Sequence, residues 1–413
     1  MKVARHTTAT AAIAIVLAAF ALTFQMWAFE DFPPYPYYDE VYTVTSAQYG
    51  FEDPTKLEIS HPPLAPYVIK LSILAWGDSP TTWRIPSRIC GALTIVLILL
   101  ISSYLTGRLL PGTLASVLLL SDGVFITTTR AALYESQFIF LSFAALLATL
   151  YSCALQARPR LQTAGLAFSA LLLGLALATK WSAALFIPCI AYVLFITLPV
   201  QRASLTVSML IGITVATYTA VCCALTDQNA QQLLNSNLEL LSAHLHPAAH
   251  HRYESPGWSW PLLIRPIWFG IDIAGPTARG TLCLGNPIVF LIALLASATL
   301  GTLGVRWLFT QRNKVLAMRL LPVVGFLATW LPWCALSQRR GFLYYYLPSL
   351  IFGCLSFATL INLVPVQRRW LKRVAIGSAL LSIPVGILYL PLYVGLPVPF
   401  EWMRTLLPFR PWW

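Results

Sequence analysis

Two carboxylates stand side by side in the run Tyr37-Tyr38-Asp39-Glu40-Val41-Tyr42, just behind a proline-rich stretch. A carboxylate held near a low-dielectric phase loses solvation and becomes a stronger base. That property suits general-base catalysis, and an acid pair also suits ligation of a hard cation. A solvated loop charge or a helix cap accounts for the spacing equally well. His61-Pro62-Pro63-Leu64 follows. The two prolines fix an extended approach and restrict the residue before them. His61 then reads either as a partner of the loop acids or as a structural histidine. A third concentration is His244, His246, His250 and His251. Four histidines this close invite a metal reading. No cysteine or well-spaced acid completes a site, and Pro247 interrupts helical i, i+4 presentation, so no metal is assigned. A divalent ion stays an open alternative.

The elements that must position these groups are membrane spans. Hydrophobic residues make up 58% of the 413 and charged residues 10%, against about 25% charged in a soluble domain. The apolar runs reach the ~20 residues that a helix needs to cross a bilayer. They are continuous rather than alternating, which argues against a strand barrel. The pattern predicts about eleven spans, at 8–28, 85–106, 109–128, 132–156, 161–179, 182–200, 203–225, 283–305, 318–337, 342–363 and 374–396. The first follows Lys2 and Arg5 as a signal peptide would, but it is long enough to be a retained span. The eight cysteines fall in or at the ends of apolar spans, without a CxxC pair, and read as small apolar helix residues.

Placing the N-terminus in the cytoplasm and alternating sorts the charge. Lys2, Arg5, Arg108, Arg158, Arg160, Arg202, Arg306, Arg312, Lys314, Arg319, Arg368, Arg369, Lys372 and Arg373 fall inside, with no acid among them. All 15 acidic residues are then expected outside. The net +12 is therefore a positive-inside signal and not a nucleic-acid footprint. Two long outer loops remain, 29–84 and 226–282, with residues 64–76 an amphipathic stretch suited to the interface. The tail from Pro397, with Trp402, Trp412 and Trp413, reads as an aromatic anchor. Arg84, Arg130, Lys180 and Arg340 all reach outer span ends. There they either meet an anion held at the boundary or snorkel as helix anchors. Lys180 is the sharpest of them, because a cation between two closely spaced spans is costly to keep without a use.

Read in order, these motifs resemble the protein O-mannosyltransferases, membrane glycosyltransferases of the GT-C class. The resemblance rests on Tyr37–Tyr42, on Ser60-His61-Pro62-Pro63-Leu64 and on Trp83-Arg84 with Gly91. It continues through Arg130 to Tyr134-Glu135-Ser136, then Gly174 to Thr179-Lys180-Trp181-Ser182. It ends with His251 to Trp258-Ser259-Trp260-Pro261, Arg265-Pro266, Gly285-Asn286-Pro287 and Phe342 to Pro348. Two departures stand out. Ile59 occupies the place of a family Asp, with Glu58 beside it, and Glu135 replaces an Asp.

The resemblance implies an all-α polytopic membrane protein of GT-C type. It has a module at 1–225 carrying the first outer loop, a second outer loop at 226–282, and a four-span-like module at 283–413. It implies transfer of a sugar, mannose in this family, from a polyprenyl-phosphate donor to an acceptor hydroxyl of a protein, a glycan or a lipid. Phosphate leaves well, so one base and cations suffice, and single displacement inverts the anomeric centre. Asp39 is the candidate base, with Glu40 as second acid. Arg84, Arg130, Glu135, Lys180, His251 and Arg340 are candidates for the donor. His61, Pro62, Pro63, Trp258 and Trp260 form the motif frame, the tryptophans either stacking on sugar or lying in the interface. The compact second loop points to a short prokaryotic-type enzyme in a bacterial or archaeal cell membrane, its site facing outside. A secondary transporter is the competing reading, but it calls for midplane charges, broken helices and repeats. A scaffold would leave the motif series without a use.

Overall fold

Prolines, glycines and short polar side chains set the helix boundaries. Ser79 caps one helix by accepting from the Thr82 N–H, with Pro80 at the first helical position and Gly107, at φ +70°, closing the far end. A computed structural model describes residues 8–26, 32–53, 56–58, 60–245, 251–310, 313–336 and 341–407. Helix α1 (Thr8–Met26) leads into the first loop, which contains α2 (Glu40–Thr45) and α3 (Leu64–Trp76). Then come α4 (Pro80–Thr106), α5 (Leu109–Leu120), α6 (Gly123–Arg130), α7 (Tyr134–Ala154), α8 (Pro159–Thr179), α9 (Ile187–Thr197) and α10 (Val200–Thr226). The second loop carries α11 (Ala230–Leu245) and strands β1 (Ile267–Ala274) and β2 (Thr277–Cys283). The remainder is α12 (Pro287–Thr310), α13 (Lys314–Met318), α14 (Leu321–Ala335), α15 (Leu347–Leu363), α16 (Arg369–Val394), β3 (Val398–Pro399) and α17 (Phe400–Leu406).

The chain is mostly helical, as its composition implies, and a helix or helix pair lies at each expected span. Among the described residues eight helices are long and apolar enough to cross a membrane, or nine when α5 and α6 count as one broken span. α15 is the most enclosed of them, with α4 and α7 next, whereas α10 and α16 bury only 17% of their apolar windows and form the periphery. Phe143, Phe186 and Phe352 meet at the centre, with ring centroids 4.9–5.6 Å apart.

Two expectations need correction. The second outer loop is not purely helical. β1 pairs antiparallel with β2 through a bulge at Trp268/Gly270, and β3 adds to the β2 edge. Ile267, Phe269, Ile271 and Ile273 alternate with other residues at the strand period of two, and Gly275, at φ +59°, makes the turn.

The second correction concerns the acids. Asp122 is not an outer-loop charge; it sits, buried, at the 69° bend between α5 and α6. It caps α6 by accepting from the Phe125 N–H (3.0 Å), and its other oxygen accepts from the Asn286 N–H (2.8 Å). Asn286 donates in turn to the Ser121 and Ser382 carbonyls. This polar knot joins the bend to the starts of α12 and the middle of α16. At Gly123 a Cβ would lie 2.1 Å from the Leu284 carbonyl, so the bend admits no side chain there. Asp122→Asn sets an amide N–H against one of two backbone N–H donors. The expected result is a loss of about 1–3 kcal/mol per unsatisfied donor, read as a lower unfolding temperature in detergent. An unchanged transition would show that the knot carries no stability.

Candidate active site

The first loop turns on one strained residue. Tyr38 has φ +51°, a left-handed conformation that costs a non-glycine residue about 1–3 kcal/mol. Its ring holds it there, stacked on Phe269 of β1 at 4.9 Å and edge-on to His251, Phe342 and Tyr344. Asp39 follows as the N-cap of α2 but makes no side-chain capping bond. Its carboxylate is thereby free for another partner, and the two neighbouring acids point into different surroundings.

Glu40 turns inward and is fully buried. It accepts from Arg84 Nε (2.9 Å) and Nη2 (2.8 Å), and from the Ala132 N–H (2.6 Å). Thr43 Oγ1 donates to the Ala132 carbonyl at 2.6 Å, fastening α2 to the same turn. Arg84, also buried, donates from Nη2 to the Pro33 and Tyr35 carbonyls and lies 4.9 Å over the Tyr37 ring. Glu40, expected as a second acid for orientation or charge tuning, and Arg84, expected as a candidate for the donor phosphate, form a buried ion pair with each other. Arg130 lies on this side as well, donating to the Gln25 carbonyl at 2.8 Å. Arg88, which the sequence did not single out, joins Arg84 and Arg130 around one small cavity.

Asp39 faces the other way. Tyr344 Oη donates to its Oδ2 at 2.8 Å. Nearby, Lys180 and Glu135 form a buried ion pair, and the Lys180 ammonium lies 4.4 Å from the Tyr345 ring centre. Lys180 reaches this position because α8 stops at Thr179 and the chain turns extended at residue 180. Glu58 completes the group, accepting from Tyr134 Oη at 2.7 Å and from Ser60 Oγ. Burial pushes the Asp39 carboxyl up to about 7; the Tyr344 bond and Lys180 oppose that, while Glu135 and Glu58 add to it. Burial also raises Glu58, against its bonds from Ser60 and Tyr134. Glu58 is not among the sequence candidates because it stands one place off the family position. Ile59 lies outside the described residues, as does Arg340.

An open cleft of about 500 Å³ begins at Lys180 and is lined by His61, Trp181, His244, Trp333 and Leu336 among others. His61 packs against Tyr134 at 4.4 Å and faces His244 at 5.9 Å. Pro62 and Pro63 are buried behind it at the start of α3. The histidine run divides: His244 lines the cleft, His251 packs beside Tyr38 with Nδ1 accepting from the Tyr253 N–H (3.2 Å), and His246 and His250 lie outside the described residues. No three His, Cys, Asp or Glu side chains converge as metal ligands among the described residues.

Residues 60–225 match the family described as dolichyl-phosphate-mannose-protein mannosyltransferase, and residues 229–412 match the C-terminal four-transmembrane region of protein O-mannosyltransferase. The chain belongs to the protein O-mannosyltransferase family. It is a mannosyltransferase-like glycosyltransferase. The polyprenol-phosphate-mannose–protein mannosyltransferase of Mycobacterium tuberculosis is 26% identical to it over 446 residues, covering 88% of this chain and 84% of that protein. Its counterpart in Mycolicibacterium smegmatis is 24% identical, over 84% and 78%. The solved structure of the Saccharomyces cerevisiae Pmt1–Pmt2 complex bound to the sugar donor superposes with a TM-score of 0.83 at 13% identity, over 98% of this chain and 93% of that one. ArnT from Cupriavidus metallidurans bound to undecaprenyl phosphate gives 0.56 at 14% identity, over 94% and 76%. Both structural likenesses concern the fold, which is that of the GT-C class.

In this family member the second-loop motif divides its two tryptophans. Trp260 is buried, bonded to Ser255 Oγ at 3.1 Å and packed on Trp333 and Tyr345, whereas Trp258 is 58% exposed. The short 3₁₀ turn at Gly257–Leu262 sends residues two apart to different sides. The inward ion pair carries its own test. Arg84→Met leaves Glu40 charged and buried, and is expected to cost about 3–5 kcal/mol. Glu40→Gln combined with Arg84→Met is expected to cost less than the two single changes together. Strictly additive losses in thermal unfolding would mean that the two side chains are not coupled.

Proposed function

We propose that this enzyme transfers mannose from a polyprenyl-phosphate carrier to a serine or threonine hydroxyl of a protein. The transfer takes place on the non-cytoplasmic face of a bacterial or archaeal cell membrane and inverts the anomeric centre. Asp39 is the general base. The observation that carries this reading is its placement: a carboxylate that makes no capping bond, raised to about 7 by burial and within electrostatic reach of Lys180, itself part of the lining of a cleft. A base titrating near working pH combines the deprotonated form with a strong pull on the proton.

In one step, the acceptor oxygen bonds to the anomeric carbon as the bond from that carbon to the phosphate oxygen breaks. The hydroxyl proton passes to Asp39, and the bond electrons leave with the phosphate. Lys180, held in place by Glu135, faces the departing charge, and His61 and His244 line the same cleft. His251 supports the Tyr38 turn that aims Asp39. Glu40, Arg84 and Arg130 act behind the site, holding the loop. The names of the mycobacterial relatives favour a protein acceptor over a glycan or lipid. The expected inner segments hold 14 Lys and Arg and no acid, which supports the outward orientation.

Purified protein, given polyprenyl-phosphate-mannose and a Ser/Thr peptide, should yield mannosyl-peptide whose anomeric configuration is opposite to the donor's. Retained configuration or no transfer to peptide would overturn the reading. Asp39→Asn should lower kcat by at least about 10²-fold while the protein still purifies as a folded species. Because the base must be deprotonated, kcat/KM should climb about tenfold per pH unit below about 7 and level off above it. A flat profile between pH 5 and 8, or an active Asn variant, would remove Asp39 from the role.

A further inference from the structure

Helix α11 presents three distinct faces. Leu233 and Leu240 are buried against the protein. Leu234, Leu238, Leu241 and Leu245 are 44–57% exposed, and at about 100° per residue they fall within one narrow sector beside that buried edge. Gln231, Asn235, Glu239 and Ser242 occupy the next sector round, also exposed. An apolar sector between a protein-facing edge and a polar sector is the pattern of a helix lying in a membrane interface. α11 contains no Lys or Arg.

The position of the helix agrees with that pattern. α11 starts four residues after α10 ends, across a left-handed turn at Asp227 (φ +52°). Trp181 Nε1 donates to Tyr218 Oη (3.2 Å), which donates to Asn237 Oδ1 (2.7 Å). Leu233 packs with Ala178, Cys222 and Leu64. These contacts hold the middle of α11 level with the end of α8 at Thr179, where that span leaves the apolar zone. The same small cluster joins α11 to α3, whose Leu71, Leu74 and Trp76 are exposed, and to α10, whose outer face shows Leu205, Met209 and Val215. The exposed leucines therefore adjoin helices that also expose apolar side chains.

We propose that α11 is a membrane-surface helix, its leucine sector seated at the boundary between headgroups and acyl chains. The occupant of this face is lipid, bound through apolar burial rather than attraction to anionic headgroups, because the helix offers no cation. The last turn of α11 carries His244 to within 6.3 Å of Trp181 and opposite His61. The bilayer thus holds one wall of the cleft, whatever substrate the cleft takes.

Cysteine placed at Leu238, labelled with bimane and reconstituted in nanodiscs, tests this. Asn235→Cys serves as the polar-face control, and labelled wild-type protein corrects for the native cysteines. Phospholipid brominated along its acyl chains is expected to quench the label at 238 and spare the one at 235, and aqueous iodide to do the reverse. Iodide quenching at 238 without bromolipid quenching overturns the proposal. So does shielding from both quenchers together with disulfide crosslinking of Leu238→Cys between two copies, which would assign the face to a second chain. Both variants carry one small change on an exposed face, and wild-type gel-filtration behaviour confirms their fold.

Discussion

The buried pair of Glu40 and Arg84 fixes the direction of the first outer loop. It joins the start of α2 to the first turns of α4 and, through the Ala132 N–H, to the turn between α6 and α7. Such a pair adds little net stability, since desolvating two charges offsets much of their attraction. Its effect is on geometry. A carboxylate with three close donors and no exposure has one orientation, and that orientation leaves its neighbour, Asp39, facing the opposite side. The left-handed turn at Tyr38, packed among Phe269, His251, Phe342 and Tyr344, keeps the two carboxylates apart.

On the far side of that divide, three acids share one buried cation. Asp39, Glu58 and Glu135 all lie within electrostatic reach of Lys180. Glu135 takes the ammonium directly, so little positive charge is left to keep Asp39 ionised, and burial raises it toward neutrality. The same Glu135 favours the charged form of Lys180, which lines the cleft. Tyr344 and Tyr345 bridge the two, one donating to Asp39 and the other lying beside the ammonium. Base and cation are therefore adjacent without neutralising each other.

The helical frame sets these groups in place by ending early or bending. α8 stops one residue before Lys180, α5 and α6 break at Asp122, and α2 starts one residue after Asp39. Each interruption is stabilised by a capping carboxylate, a packed ring or a polar knot rather than by helix propensity. The peripheral helices α10 and α16 bury only 17% of their apolar windows, so the perimeter and the site-bearing centre answer to different forces.

The sequence by itself determined the class of the protein, the place of nearly every helix, and the order of motifs that holds Asp39, Glu135 and Lys180. Hydrophobic runs and contiguous motifs are local properties, readable along the chain. Only the tertiary structure decided partners. Glu40 and Arg84 are 44 residues apart and found each other because both are buried at one junction. Glu58 entered the site through Tyr134, 76 residues away, although its position in the motif is shifted. Asp122 was counted with the outer acids and instead caps a bend inside the bundle. Trp258 and Trp260, alike in sequence, differ in burial. A charge or a ring acquires its role from what desolvates it and what it touches, and both depend on residues distant in the chain.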